Sequence, residues 1–164
     1  FNFLGPLTNP AGAKLLSVGT SDPHMAGLMV DVLRNRGAAR AFVFYGQDGL
    51  DELTTTGPSF IYRLRNGEVT TAEFTPEDFG VRRATLDDLK GGSVEGNADI
   101  LRSVLDGRPG PTRDIAVVNA APAIVVSGLA DGFVEAVDLA REAIDSGDAH
   151  AVLQRSIAFT EAHS

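Results

Sequence analysis

An unbroken apolar run at residues 41–45 places the strongest constraint on the fold of this chain. A strand that is apolar at every position is buried on both faces, which is typical of parallel sheets covered by helices on either side. A first short strand is predicted at residues 14–18. Asp22 followed by Pro23 then forms an N-cap signal for a helix, which Gly37 ends. Strand, helix and strand in this order form a βαβ unit, so the sequence predicts an α/β fold with a mostly parallel sheet flanked by helices.

The middle of the chain predicts an antiparallel hairpin. Residues 60–64 alternate apolar and polar side chains, Asn66-Gly67 is a strong signal for a two-residue turn, and residues 68–74 return as a second strand. We expect this hairpin to be an excursion beside the parallel part of the sheet. Residues 75–92 are rich in turn formers and predict a surface passage with one short helical turn.

The C-terminal half predicts helices. Residues 95–105 and residues 149–162 have helical patterns, and Asp131 is expected to cap another helix between them. Residues 114–126 form an apolar stretch rich in Ala and Val. This stretch fits a buried strand or a buried helix, because periodicity alone does not distinguish the two.

The composition excludes several classes of protein. The 164 residues fit a single domain, and the absence of Cys excludes a disulfide framework, thiolate metal ligands and a Cys nucleophile. The net charge of −8 without a basic stripe argues against nucleic-acid binding. No apolar run approaches membrane-spanning length and no signal-peptide pattern opens the chain, so we expect a cytoplasmic protein without membrane contact. No pairing of nucleophile and base is recognisable, and no residue is assigned a catalytic role.

The segment of greatest chemical interest, residues 46–52, directly follows the predicted buried strand. In open α/β sheets, ligands bind beyond the carboxyl ends of the strands, where this acidic loop lies. Its carboxylates, on Asp48, Asp51 and Glu52, repel one another unless a positive charge lies between them. Adjacent Asp51 and Glu52 suit Mg²⁺, which prefers one or two carboxylates together with waters and substrate phosphates. A solvated polar turn explains the same residues about as well, whereas the pattern of a calcium-binding loop is absent.

The opening residues, 1–10, form an apolar element broken by Gly5-Pro6 and stopped by Asn9-Pro10. On residue types alone, the favoured interpretation is a hinge that turns the chain between two structural units. The alternative is one wall of a cleft, in which Gly5 allows a flat substrate to approach closely.

Taken together, residues 1–10 and the segment Asp48-Gly49-Leu50-Asp51-Glu52 resemble the anthranilate phosphoribosyltransferases. The spacing between the two motifs also matches, and further agreement extends in collinear order through Thr56-Gly57-Pro58 and Asn119-Ala120-Ala121. The resemblance therefore covers essentially the whole chain. The related pyrimidine nucleoside phosphorylases share the fold but lack the motif at residues 2–10.

The resemblance implies a division of the chain into two parts. Residues 1–13 correspond to a hinge segment from a helical domain that this chain lacks, and residues 14–164 to the α/β glycosyl transferase domain. The fold class implied is a truncated C-terminal domain of the nucleoside phosphorylase and phosphoribosyltransferase type. The donor-binding motifs of the family lie upstream of Phe1, so we expect this piece to be inactive alone and the full-length enzyme to be a homodimer.

The resemblance also implies a reaction and a set of site residues. The family transfers the phosphoribosyl group of phosphoribosyl pyrophosphate to anthranilate, with release of pyrophosphate, in tryptophan biosynthesis. By resemblance, Asp51 and Glu52 bind the Mg²⁺ that holds and neutralises the pyrophosphate. Asn2, Gly5 and Pro6 fall in the substrate-binding segment that lines the anthranilate channel.

The sequence departs from the family pattern at two positions. Tyr45 stands where the family often has His, and Pro122 interrupts a segment that is usually a helix, where a kink or an early start is expected. Neither change removes the carboxylates, and two other functions stay open. One alternative is a catalytically inert module that binds Mg²⁺, a phosphate ligand or a partner protein. Another is a paralogous phosphoribosyltransferase with a different acceptor.

Overall fold

Residues 3–163 are described by a computed structural model, in which strands dominate the first half and helices the second. The elements in chain order are α1 (Leu4–Leu7), β1 (Leu15–Gly19), α2 (Pro23–Asn35), β2 (Arg40–Gly46), β3 (Ser59–Arg65), β4 (Glu68–Phe74), α3 (Val94–Leu105), α4 (Pro111–Ser127), α5 (Phe133–Asp145) and α6 (Asp148–Glu161). Two short 3₁₀ helices, Pro76–Phe79 and Asp87–Leu89, lie between β4 and α3.

The four strands form one mixed sheet in the order β1-β2-β3-β4. β1 and β2 pair in parallel, as the βαβ unit predicts, whereas β2 with β3 and β3 with β4 pair antiparallel. The α/β class, the flanking helices and the hairpin are confirmed, but the sheet contains less parallel pairing than the expected mostly parallel arrangement. The reason is the connection from β2 to β3. This connection contains no crossover helix, which a parallel neighbour of β2 normally requires. The chain therefore reverses its direction, and β3 pairs with β2 antiparallel.

The turn between β3 and β4 has the geometry that its sequence predicts. Asn66 and Gly67 both have positive φ angles, 53° and 79°. Positive φ at both central residues defines the type I′ turn, whose twist matches that of the flanking strands.

β2 is buried on both faces because helices cover both sides of the sheet. Ala41 and Val43 belong to a core cluster with the buried face of α2. Phe42 and Phe44 point the other way, into a second cluster with α4 and α5. The alternation of side chains along a strand thus divides one apolar run between two cores.

Helix α2 begins as the sequence predicts. The side chain of Asp22 accepts hydrogen bonds from the backbone N–H groups of His24 (2.9 Å) and Met25 (3.2 Å). Pro23 is the first helical residue, where its missing N–H costs nothing.

The ambiguous apolar stretch at 114–126 is helical and forms most of α4. Pro111 opens the helix after Gly110, and Gly128 ends it in the left-handed conformation, so both end signals lie outside the apolar stretch itself. The helix continues through Pro122, which is buried. At 17 residues α4 is the longest described helix, and no helix within residues 3–163 is long and apolar enough to cross a membrane.

Two local features differ from the sequence-based expectation. Asp131 does not cap α5, because the N-cap is Gly132 and the helix begins one residue later than the pattern suggests. The backbone N–H of Asp131 instead donates to the carboxylate of Glu135, at 2.9 Å, so the first turn is held by an acidic side chain that reaches back. Gly5-Pro6 lies inside the one-turn helix α1 rather than breaking it, since Pro is tolerated in a first helical turn.

Candidate functional site

The acidic loop lies at the carboxyl ends of the two parallel strands. It leaves β2 after Gly46, whose backbone N–H donates to the carbonyl oxygen of Leu50 at 3.0 Å. Gly49 sits at the tip with a φ of 90°. The loop also reaches the end of β1, because a Cβ added at Gly19 would overlap the carbonyl oxygen of Asp51. This position is the ligand-binding edge of an open α/β sheet.

The first carboxylate of the loop, on Asp48, turns inward. Its Oδ2 accepts hydrogen bonds from the hydroxyls of Thr54 (2.5 Å) and Thr56 (2.6 Å), and its Oδ1 accepts one from the backbone N–H of Leu50 (3.2 Å). Burial alone would raise the pKa of Asp48, but the hydrogen bonds from Thr54, Thr56 and Leu50 outweigh it and lower the pKa below its ordinary value. Asp48 is therefore an ionised anchor that shapes the loop.

The other two acidic residues of the loop, Asp51 and Glu52, are exposed. Within residues 3–163, no hydrogen bond or ion pair engages either side chain. Partial burial of its carboxyl group raises the pKa of Glu52, and the neighbouring charge on Asp51 raises it further. The pair thus presents concentrated negative charge, unneutralised by the described part of the chain, at the carboxyl ends of the parallel strands, where open α/β sheets generally bind ligands.

The end of the loop is fixed to helix α4. The backbone N–H of Leu53 donates to Oδ1 of Asn119 at 2.7 Å, and Nδ2 of Asn119 donates back to the carbonyl oxygen of Leu53 at 2.9 Å. The next backbone N–H, of Thr54, donates to the hydroxyl of Ser59 at 2.8 Å. Leu53, Thr54 and Ser59 are all fully buried, so the chain enters the core directly after the exposed pair.

The donor set fits a hard divalent cation better than a soft one. Carboxylate oxygens are ligands for Mg²⁺, which retains waters and binds substrate phosphates rather than requiring a complete protein cage. No cluster of three or more His, Cys, Asp or Glu suited to a metal exists within residues 3–163. A protein site for Mg²⁺ therefore needs only one or two carboxylates that are open to solvent and substrate. Asp51 and Glu52 provide two.

Comparison with known proteins places the chain in a family. Residues 1–150 match the glycosyl transferase family, a/b domain. The chain belongs to this family. The a/b description of this family agrees with the α/β class of the fold, although the match itself assigns no residue a role.

Individual relatives of this glycosyl transferase domain share one name. An anthranilate phosphoribosyltransferase of Moorella thermoacetica is 50% identical over 161 residues, which is 98% of this chain and 48% of that protein. An anthranilate phosphoribosyltransferase of an Arthrobacter species is 48% identical over 166 residues, covering 98% of this chain and 47% of that protein. The chain thus spans about half the length of the curated relatives it matches.

The fold is similar to that of solved structures that bear the same name. A crystal structure of anthranilate phosphoribosyltransferase from Thermus thermophilus has a TM-score of 0.85 and 38% identity, covering 96% of this chain and 46% of that one. The Saccharomyces cerevisiae enzyme in complex with PRPP and Mg has a TM-score of 0.82 and 25% identity, over 92% of this chain and 44% of that one.

The two described residues of the sequence-predicted substrate set, Gly5 and Pro6, lie apart from the acidic loop. Asn2 is outside the described residues. Gly5 is exposed in α1, and a Cβ added there would meet nothing within 4 Å. Pro6 lines a cavity of about 90 Å³ with Lys14 and other residues from the amino end of β1, whereas the acidic loop lies at the carboxyl end. The described structure does not bring Gly5 and Pro6 next to Asp51 and Glu52, so their role remains a proposal.

Two residues that shape the loop carry weak signals in the sequence. Asn119 is half-buried and makes hydrogen bonds with its side-chain amide, but nothing in the sequence pairs it with Leu53. Gly19 follows a predicted strand, where a glycine can indicate that another backbone approaches closely. Only the folded structure identifies that backbone as Asp51.

Proposed function

We propose that the full gene product carrying this chain is an anthranilate phosphoribosyltransferase. In this reaction the bond from C1′ of the ribose to the pyrophosphate oxygen breaks and a bond from C1′ to the amine of anthranilate forms. Pyrophosphate departs with the electron pair, and the amine loses a proton. The curated relatives and solved structures that match nearly the whole chain support this proposal, since they bear that name.

The observation that carries the proposal is the unpaired, exposed Asp51-Glu52 pair at the ligand-binding edge of the sheet. We infer that both carboxylates hold Mg²⁺. When bound, the ion supplies a positive charge that neutralises the leaving pyrophosphate and orients it. A yeast relative whose structure contains PRPP and Mg shares this fold, which supports the same metal here.

The contribution of this chain is positioning and electrostatics. Departure of pyrophosphate leaves positive charge on the ribose, and no covalent protein intermediate is needed, so catalysis depends on charge neutralisation and alignment. Asp51 and Glu52 follow a loop whose inward carboxylate, Asp48, is already satisfied by three hydrogen bonds. The two outward carboxylates are thereby left for the cation.

The remaining roles extend the proposal to the whole protein. We propose that residues 1–13 form a hinge to a helical domain, and that Asn2, Gly5 and Pro6 contribute to the anthranilate channel. Residues 14–164 form the α/β domain. A homodimer in the cytoplasm, acting in tryptophan biosynthesis without nucleic acid or membrane, is the setting that the family resemblance supports.

The experiment is an assay of pyrophosphate release by the full gene product, with phosphoribosyl pyrophosphate, Mg²⁺ and a choice of acceptors. We expect release that depends on anthranilate. Turnover with another amine or base but none with anthranilate would show a paralogous transferase. Metal binding without turnover on any acceptor would show an inert module.

Variants of the pair test the assigned residues within the same assay. Asp51→Asn and Glu52→Gln should raise the Mg²⁺ concentration at half-maximal rate and leave thermal stability nearly unchanged, because both side chains are exposed. Asp87→Asn is the matched control, since it removes an exposed carboxylate from a 3₁₀ helix outside the loop. If Asp51→Asn and Glu52→Gln show the same Mg²⁺ dependence as Asp87→Asn, the pair does not bind the metal and the loop is a solvated turn.

A further inference from the structure

One side chain of α4 holds the main chain directly after the carboxylate pair. The amide of Asn119 makes a two-sided bond with Leu53: it accepts from the backbone N–H at 2.7 Å and donates to the carbonyl oxygen at 2.9 Å. The same Nδ2 donates to the carbonyl oxygen of Ile115, one turn earlier in α4, at 3.0 Å. This third bond orients the amide within its own helix.

The bonded groups of Leu53 are covalently close to Glu52. The N–H of Leu53 belongs to the peptide unit that joins Glu52 to Leu53, so a bond to that N–H fixes the plane on the carboxyl side of Glu52. On the amino side, the carbonyl oxygen of Asp51 lies against Gly19 at the end of β1. Both peptide units that flank the α-carbon of Glu52 are therefore held, one by α4 and one by β1.

Helix α4 is a suitable fixed support for such a contact. Val117, Val118 and Ala121, which surround Asn119 in sequence, are at most 1% exposed and belong to the core between the sheet and α5. Close-packed cores move as units and transmit displacement rather than absorbing it. The position of Leu53 is thus tied to the core, while Asp51 and Glu52 project to solvent.

We propose that Asn119 is a positioning residue for metal binding by Asp51 and Glu52, acting through the Leu53 main chain and not by contact with the cation. The inference rests on the proposed function of that pair. Mg²⁺ demands near-octahedral geometry at short distances, and small displacements of its ligands weaken binding. A loop held from both sides presents the pair without an ordering cost at each turnover.

A purely structural role for Asn119 predicts a different result. If its amide only satisfied two buried main-chain groups, its loss would lower stability and leave the metal dependence unchanged. The readouts are therefore the Mg²⁺ concentration at half-maximal rate in the full gene product and, separately, Mn²⁺ binding followed by electron paramagnetic resonance. Melting temperature is recorded for every variant.

Three substitutions at Asn119 separate the functions of the amide. Asn119→Leu removes both the donor and the acceptor. Asn119→Asp keeps an acceptor for the N–H of Leu53 but cannot donate to the carbonyl oxygen, so it serves if the Leu variant does not fold. Asn119→Gln keeps both groups on a longer side chain and tests rescue.

The matched control is Val137→Ala on α5. Val137 is fully buried in the same core, and its truncation destabilises the domain without changing any bond to Leu53. Asp51→Asn is the reference for direct loss of a ligand.

We expect Asn119→Leu and Asn119→Asp to raise the half-saturating Mg²⁺ concentration roughly tenfold, a factor on the scale of the net free energy of a hydrogen bond. Mn²⁺ affinity should fall in parallel, Asn119→Gln should shift both values least, and Val137→Ala should shift neither despite a lower melting temperature. Values for the Leu and Asp variants that match Val137→Ala, while Asp51→Asn is shifted, overturn the inference and leave the proposed function intact. If Asp51→Asn is also unshifted, the metal-binding pair itself is refuted.

Discussion

The carbonyl oxygen of Asp51 lies so close to the α-carbon of Gly19 that no side chain fits between them. This contact joins the end of β1 to the loop that leaves β2, although the two residues are far apart in sequence. It explains why a residue without a Cβ ends β1, and it determines where the backbone of the acidic loop can lie.

Gly19→Ala should therefore displace the loop. We expect a higher Mg²⁺ concentration at half-maximal rate and a loss of stability of about 1–3 kcal/mol from overpacking, measured by activity titration and urea unfolding. Gly27→Ala in α2 is the matched control: its added Cβ would make only ordinary contact, 3.8 Å from the Tyr62 ring, and Ala favours the helix. Equal metal dependence in the two variants would show that the Asp51 contact is unimportant for the loop.

Asp48 provides a pH-dependent prediction. Its folded-state pKa is lowered below 3.8, because the hydrogen bonds from Thr54, Thr56 and Leu50 outweigh the effect of burial. Asp48 therefore stabilises the fold above that ordinary pKa, and the contribution is lost as pH falls through the lower folded-state value. We expect Asp48→Asn to cost about 1–3 kcal/mol at pH 7.

The cost of Asp48→Asn should shrink as pH falls below 3.8, where Asp48 in the unfolded wild-type chain takes up a proton, and it should vanish once the folded carboxylate is protonated at a lower pH. Urea unfolding measures the difference in free energy of unfolding between wild type and Asp48→Asn. It is carried out at pH 7 and at the lowest pH at which both proteins stay folded. A penalty that is constant with pH would mean that the ionised carboxylate does not anchor the loop. Asp87→Asn again serves as an exposed control.

The hairpin turn gives a prediction independent of the site. Gly67 has a φ of 79°, so Gly67→Ala should destabilise the domain by about 1–2 kcal/mol through left-handed strain, with no change in Mg²⁺ dependence. Gly92→Ala is the control, because an added Cβ there meets nothing within 4 Å and its φ is not left-handed. Thermal unfolding of the two variants decides it, and a Gly67→Ala protein as stable as Gly92→Ala would contradict the type I′ assignment.

Much of the fold could be predicted because its signals are local. The apolar run that becomes β2, the cap at Asp22 and the Asn66-Gly67 turn each depend on neighbouring residues. The extent of parallel pairing could not be predicted, since it depends on how the chain folds back after β2. The state of the 114–126 stretch was equally open, because a segment buried in a core lacks the polar face that reveals helical periodicity.

The candidate site, like the fold, has features that local sequence signals predict and features that depend on contacts formed on folding. Three acidic residues in one loop could be located from sequence, and their position beyond β2 followed from the strand pattern. Their different roles depend on contacts that form only on folding: Thr54 and Thr56 satisfy Asp48, whereas Asp51 and Glu52 remain unpaired within the described chain. The two hydrogen bonds between Leu53 and Asn119 join residues 66 positions apart, and such pairs carry no local signal in the sequence.

The central claim is that Asp51 and Glu52 hold the divalent cation, and locating the ion tests it most directly. Crystals of the full gene product grown with phosphoribosyl pyrophosphate and Mn²⁺ in place of Mg²⁺ would give an anomalous difference map. We predict a peak within coordination distance of carboxylate oxygens of both Asp51 and Glu52, and no such peak in the Asp51→Asn, Glu52→Gln double variant. Bound Mn²⁺ and ordered pyrophosphate, with no peak that contacts both residues in the wild-type protein, would contradict the claim.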